Sequence, residues 1–338
     1  MKNMKTAGSI IFILLLLIGI SVLNAPAYSQ DYETQIKELQ KKQQQLTQEM
    51  QNVDLDTYNR LMEDYNKLQE EIDSLKEKVM AAGNKDAQIK NYINQGNRDL
   101  KLKQFQAAIA TYDKVIELDP ENPKAYFGKG VAQKYLKQYV EAEASYLKAI
   151  QLDPSLAPAY LNLATLYSSL EKYNKAIAKY KDALEQDSTL AKAWYGIGNT
   201  YIHMKDYQNA ANAFQQAVKI DPGYEKAYNA LGSSLIELYK YKEAIAALDK
   251  AIEIRPAADV FYRKAKALNE LGRYQEAIAA ANEALAHNKR MGAASYEKGR
   301  AYEGLGNKAS AIASYNEAAR DGRWARIANY EINRLKSE

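Results

Sequence analysis

Two histidines, His203 and His287, are the chain's only side chains with an unperturbed charge change near neutral pH. They lie 84 residues apart, too far in sequence to suggest a pair, and both read as surface residues. There is no cysteine, which excludes disulfides, thiolate metal sites, cysteine nucleophiles and a lipid-modified N-terminal cysteine. The 42 carboxylates read as solvated helix residues or caps, not as catalytic pairs, and no glycine-rich phosphate loop is present. Catalytic residues, metal ligands and cofactor-binding residues are therefore not expected, and the chain does not read as an enzyme. The one unusual count is tyrosine: 27, against 5 Phe and 2 Trp. Something repetitive is placing it.

The elements that carry those residues emerge from composition and spacing. Of 338 residues, 47% are hydrophobic and 26% charged, near the average for a globular protein. The formal charge is +4, and Lys2 and Lys5 belong to an N-terminal segment that processing would remove, so no nucleic-acid partner is expected. Residues 1–29 have a basic start, an apolar run from Ile10 to Leu23, and small residues at Ala25 and Ala27. This is the pattern of a secretory signal peptide, the other reading being an uncleaved signal anchor. The run is shorter than the about 20 residues needed to span a bilayer, which favours cleavage. No membrane span is expected afterwards. Either reading exports the rest of the chain, to the periplasm or cell envelope or into the medium.

Residues 31–80 carry a coiled-coil seam. Leu61, Tyr65, Leu68, Ile72, Leu75 and Val79 alternate in steps of 4 and 3, as do Ile36, Leu39, Gln43, Leu46, Met50 and Val53 in the mirrored order. The register slips near Asp54–Thr57, where Asp56 or Thr57 would cap a new helix. So narrow a seam needs a partner. One long helix would self-associate into a homo-oligomer, the favoured reading; two helices folded back on each other could stay monomeric. Residues 81–88, with Gly83 and Asn84, read as a linker.

From 89 onward a period governs the chain. Pro120, Pro154, Pro222 and Pro256 are spaced by 34 or 68 residues. Alanine recurs at 108, 142, 176, 210, 244, 277 and 311, with Phe105, Tyr139, Tyr173, Tyr207, Tyr241, Tyr274 and Lys308 three residues earlier. Twelve before each alanine stands Gly96, Gly130, Ala164, Gly198, Gly232, Ala265 or Gly299, and four earlier still Tyr92, Tyr126, Tyr160, Trp194, Tyr228, Phe261 or Ser295. Small residues allow two helices to cross closely, and a leucine at the alanine position would overpack by about 1–3 kcal/mol. These aromatics are expected to fill the space left by the small residues. Proline ends one repeat and starts the next.

These columns resemble the tetratricopeptide repeat family, over about 230 residues. The resemblance implies an all-α solenoid, a right-handed superhelix of helix-turn-helix repeats, at 89–122, 123–156, 157–190, 191–224, 225–257, 258–291 and 292–322, preceded by the coiled-coil segment. Residues 323–338 are expected to form a capping helix with Ala325, Ala328, Ile332 and Leu335 on one side, as solenoid ends require. Gln95, Asp99, Ser295 and Lys308 depart from the pattern in the terminal repeats.

In this family, residues two, five, nine, twelve and thirteen of each repeat line a concave groove that holds extended peptides or partner helices. By resemblance, the groove candidates are Lys90, Asn97, Lys124, Phe127, Lys134, Tyr135, Lys192, Tyr195, Asn199, His203, Lys226 and Asn229, with Ile93, Lys101 and Val131 beside them. Toward the C-terminus the same positions turn acidic at Glu237, Asp259, Glu270 and Glu303. A polarised groove is expected, basic and aromatic at one end and acidic at the other. The carboxylate clamp of the chaperone-binding subgroup is absent: Asn97 and Asn199 fit its pattern, but Ile93 and Tyr195 replace one lysine, and Pro158 and Asp259 another. The expected function is an exported scaffold or adaptor for a protein or extended peptide. The order of segments is also similar to that of the periplasmic coiled-coil-plus-repeat proteins associated with the Tol-Pal system, and a structural tether is a further reading.

Overall fold

The computed structural model describes residues 27–81 and 85–337. Residues 1–26 of the expected signal segment and most of the Ala81–Asn84 stretch lie outside them; the last three residues of that segment, Ala27–Ser29, open the first helix. The chain divides into two compact units, Met1–Ala132 and Gln133–Glu338. Every regular element among the described residues is helical.

In the first unit, α1 (Ala27–Glu49) and α2 (Leu55–Ala81) are joined through a single 3-10 turn, Met50–Asn52. Asp54 caps α2: its carboxylate accepts from the Thr57 amide at 2.9 Å and hydroxyl at 3.0 Å, which holds its pKa low. The two seams close on each other within one chain. Leu39, Ile72 and Leu75 are buried together, with Tyr32, Ile36 and Leu68 packed around them. Gln43, the polar seam position, is buried and donates to Gln69 Oε1 (3.2 Å) and the Tyr65 carbonyl (3.4 Å). The need for a partner is thus met by an intramolecular hairpin, and an oligomer is not required to cover the seam.

The next helix, α3 (Lys85–Lys101), begins inside the expected linker. Lys85–Gln88 contains neither Gly nor Pro, so nothing prevents the first repeat helix from extending backward. It pairs with α4 (Phe105–Leu118). Lys114 of α4 joins the hairpin to the repeat: its ammonium lies 2.7 Å from Glu77 and 5.2 Å from the Tyr92 ring centroid. Asp99, out of pattern by sequence, is buried and accepts from the Thr111 hydroxyl at 3.2 Å; burial still pushes its carboxyl pKa up.

The remaining helices are α5 (Pro123–Tyr135), α6 (Tyr139–Leu152), α7 (Ala157–Ser169), α8 (Tyr173–Gln186), α9 (Ala191–His203), α10 (Tyr207–Ile220), α11 (Glu225–Glu237), α12 (Tyr241–Ile254), α13 (Ala258–Glu270), α14 (Tyr274–His287), α15 (Gly292–Gly304), α16 (Lys308–Ala319) and α17 (Ala325–Ser337). In the second unit each helix from α7 on packs on the next. Ala328, Ile332 and Leu335 of α17 close the core over Ala311, Tyr315 and Ala318.

Two turn devices repeat. Within each repeat the tight turn holds one residue at positive φ: Lys103, Lys137, Glu171, Lys205, Tyr239, Gly272 and Gly306. Between repeats, an Asp side chain captures the amide two residues on. Asp153 accepts from Ser155 at 2.9 Å, Asp187 from Thr189 at 2.9 Å, and Asp221 from Gly223 at 2.9 Å. Arg255 cannot form that turn. The repeat there is one residue shorter, and the guanidinium instead grips buried Glu225 of α11 at 2.6 Å.

All seven periodic alanines are fully buried. The aromatics expected beside the small column, however, are mostly half-buried. The side chain at the crossing sits four residues after each alanine: the rings Tyr112, Tyr146, Tyr180, Phe214 and Tyr315, with Leu248 and Ala281 in the two remaining repeats, all buried. The second helix returns past the small residue one turn beyond the alanine, so this column meets it. Each large member contributes about 1.5–3 kcal/mol by burial.

Candidate functional site

Positions two, five, nine, twelve and thirteen of the repeats differ in exposure and in partners along each unit. In the first unit, Lys90, Lys101 and Lys124 are exposed and Ile93 and Phe127 half-buried. Asn97 is exposed, but its Oδ1 accepts from the Tyr112 hydroxyl at 2.9 Å. Burial, helped by Asp99, pushes that phenol up to about 12, so it stays a donor.

In the second unit, Lys134 is half-buried on α5, which pushes its ammonium pKa down, and Tyr135 beside it is exposed. Lys192, Tyr195, Asn199 and His203 line one face of α9. Tyr195 is fixed by rings on both sides, 5.6 Å from Phe214 and 5.1 Å from Tyr224. His203 is exposed and stacks on Tyr173 at 5.9 Å; exposed His287 stacks on Phe261 at 5.6 Å. Both histidines act as packing rings. Lys192 and Lys226 are exposed and enter no ion pair among the described residues.

Position nine has a role that the sequence conceals. The hydroxyls of the buried ring column reach it: Tyr112 to Asn97, and Tyr180 to Thr165 at 3.3 Å. Asn199 has Phe214 as the ring at the matching place, which carries no hydroxyl, so this amide is spared that use. Asn229 is not available in the same way. Its amide donates to Asp259 at 2.9 Å, and its oxygen accepts from Arg263 at 3.2 Å.

Each position of the expected acidic end has a cation partner. Asp259 pairs with Arg263 at 2.6 Å, Glu237 with Lys266 at 3.6 Å, Glu270 with Arg300 at 2.9 Å, and Glu303 with Arg334. Burial would raise the Asp259 pKa, but Asn229 and Arg263 outweigh it and hold the carboxyl low. The cations come from the next repeat or from α17, about 30 positions away, except Arg263 on the same helix. Counting acidic positions therefore overstates the gradient, because it leaves out the partners one repeat on.

Tyr274, Tyr296, Arg300, Glu331 and Arg334, with Asn269 and Glu303, line a cleft where α15 meets α17; of these, spacing marks only Glu303 as a groove position and Tyr274 as a packing aromatic. Among the described residues no group of three or more His, Asp or Glu could hold a metal ion, and no helix is long and apolar enough to cross a membrane.

Within each unit, packed helix pairs with small-to-large crossings and helix faces carrying rings, amides and charges define a helical-repeat interaction scaffold. The chain belongs to the tetratricopeptide repeat family. Models described as tetratricopeptide repeat match residues 123–156 and 191–224, 145–178, and 210–259, 229–290 and 262–325; one described as TPR repeat matches 96–137 and 165–205. No curated protein matches the chain. Among solved structures, YrrB, described as a TPR protein with an unusual peptide-binding site, is 28% identical over 55% of this chain and 97% of its own, with a TM-score of 0.50. The C-terminal part of a TPR repeat-containing protein from Cytophaga hutchinsonii is 14% identical, covering 68% of this chain and 94% of that one, at 0.58. PilF of Pseudomonas aeruginosa is 17% identical, covering 61% and 94%, at 0.54. The last two likenesses concern the fold alone.

Proposed function

We propose that the protein is an exported adaptor that binds a protein or extended peptide on the face carrying Lys192, Tyr195, Asn199, His203 and Lys226. The observation that carries this reading is the pairing pattern. The carboxylates further along are ion-paired, whereas Lys192 and Lys226 are exposed, enter no ion pair among the described residues, and share this face with Tyr195, a ring fixed between Phe214 and Tyr224. A fixed aromatic anchor with cations beside it suits an extended segment bearing carboxylates and an apolar side chain. The likeness to YrrB, a peptide-binding repeat protein by its description, supports the same class of partner.

Crosslinked pull-down from the native envelope tests it. Lys192→Glu with Lys226→Glu removes the partners captured by the intact chain; retention of every partner sinks the proposal. Export rests on the apolar run at 10–23 and is tested by N-terminal sequencing of the mature protein.

Self-association through 31–80 would have to use the outer surface of the hairpin or open it. Molar mass of the mature protein, and of a version starting at Asp86, decides: an oligomer that becomes a monomer on truncation supports it, and a monomer in both removes it. A Tol-Pal-associated role is favoured only by the order of segments, and capture of envelope-constriction proteins in the same pull-down is its test.

A further inference from the structure

We infer that the cleft between α15 and α17 is a receptor for a single basic side chain, arginine in preference to lysine, on a segment bound to this protein. The inference deepens the adaptor reading and rests on it for its biological partner, but the site is defined by its own geometry. The ring of Tyr296 is held between Tyr315 at 5.3 Å and Trp324 at 5.1 Å, and the ring of Tyr274 lies against Gly304, where a Cβ would come within 2.4 Å of it. Fixed rings at a cleft wall favour a planar cation.

Charge points the same way. Arg300 is gripped by Glu270 at 2.9 Å and Glu297 at 3.2 Å; Arg334 is gripped by Glu331 at 2.8 Å and by Glu303. Four carboxylates thus surround two guanidiniums. Lys266, whose charge also acts on Glu297, is matched by Glu237. Even with one carboxyl protonated, the cluster keeps an excess negative charge.

An independent observation asks for a hydrogen-bond donor. Asn269, 6% exposed, lines the cleft and spends its Nδ2 on the Glu297 carbonyl and carboxylate, both at 2.8 Å. Its buried Oδ1 has no partner. Buried acceptors are normally matched, and a guanidinium N–H would satisfy this one while the charge meets the carboxylates. A carboxylate or phosphate would be repelled and would leave Oδ1 unmatched.

The test uses full-length mature protein, two-dimensional amide spectra, and three probes: N-acetyl-arginine amide, its neutral isostere N-acetyl-citrulline amide, and N-acetyl-glutamate amide. Arginine is expected to give saturable shifts at the Asn269 side-chain amide and Arg300 Nε, with citrulline several-fold weaker and glutamate inert. Glu331→Gln, which alters a side chain paired only with Arg334 in the cleft, should weaken arginine several-fold while leaving the rest of the spectrum in place. Equal binding of arginine and citrulline, no saturable shift at millimolar arginine, or shifts centred on Lys192 and Asn199 would each overturn the site. None of these results bears on the pull-down with Lys192 and Lys226 reversed, so the two readings fail separately.

Discussion

Gly198 and Phe214 meet so closely that a methyl group on the glycine would stand 2.5 Å from Cε1 of the ring. The ring is fully buried and has no room to retreat. Gly198→Ala should therefore cost about 1–3 kcal/mol, the usual scale of overpacking, despite alanine's better helix propensity. Chemical denaturation reads it: an unchanged or raised midpoint would mean the helices can separate at no cost.

The tight turns offer the opposite experiment. Lys205 holds φ at 59°, where the two later repeats use Gly272 at 69° and Gly306 at 71°. Lys205→Gly should relieve about 1 kcal/mol of left-handed strain, offset in part by greater freedom of the unfolded chain. Gly306→Ala should destabilise even though nothing lies within 4 Å of the new Cβ. Thermal melts showing both changes with reversed signs would refute the strain argument.

Glu297 supplies a pH dependence. Burial raises its carboxyl pKa against the opposing pull of Arg300 and Asn269. An acid raised in the folded state contributes stability that is full below its unfolded pKa, about 4.3, and is lost as pH rises through the folded value. The stability of Glu297→Gln relative to the parent should therefore rise as pH increases from about 4.3 toward neutrality. Melts of both proteins across that range would contradict this if the difference stayed flat or fell.

The hairpin can be tested by removing one side chain. Ile72 is 1% exposed against Leu39 and Leu75. Ile72→Ala should cost about 2–5 kcal/mol, and hydrogen exchange should accelerate in α1 and α2 together. Faster exchange in α2 alone would show that α1 is not its partner.

The helical repeat, its period, and the columns of alanine and glycine are legible in the chain alone, because each depends on contacts within about one repeat of chain. The apolar residues of α17 also recur at helical spacing; Ala328, Ile332 and Leu335 are buried and Ala325 is half-buried. Which ring fills each crossing is not legible there, since Tyr112 and Phe214 are chosen by the path of the returning helix. Nor is the closure of the seam at Leu39 and Ile72 within one chain, because an identical heptad pattern allows both a hairpin and an oligomer. Spacing misjudges the charge of the groove for the same reason. Glu270 and Glu303 are paired with Arg300 and Arg334 about 30 residues away, and Asn97 is engaged by Tyr112. Periodicity orders residues along a helix; the pairing of charges and hydrogen bonds between helices is settled by packing.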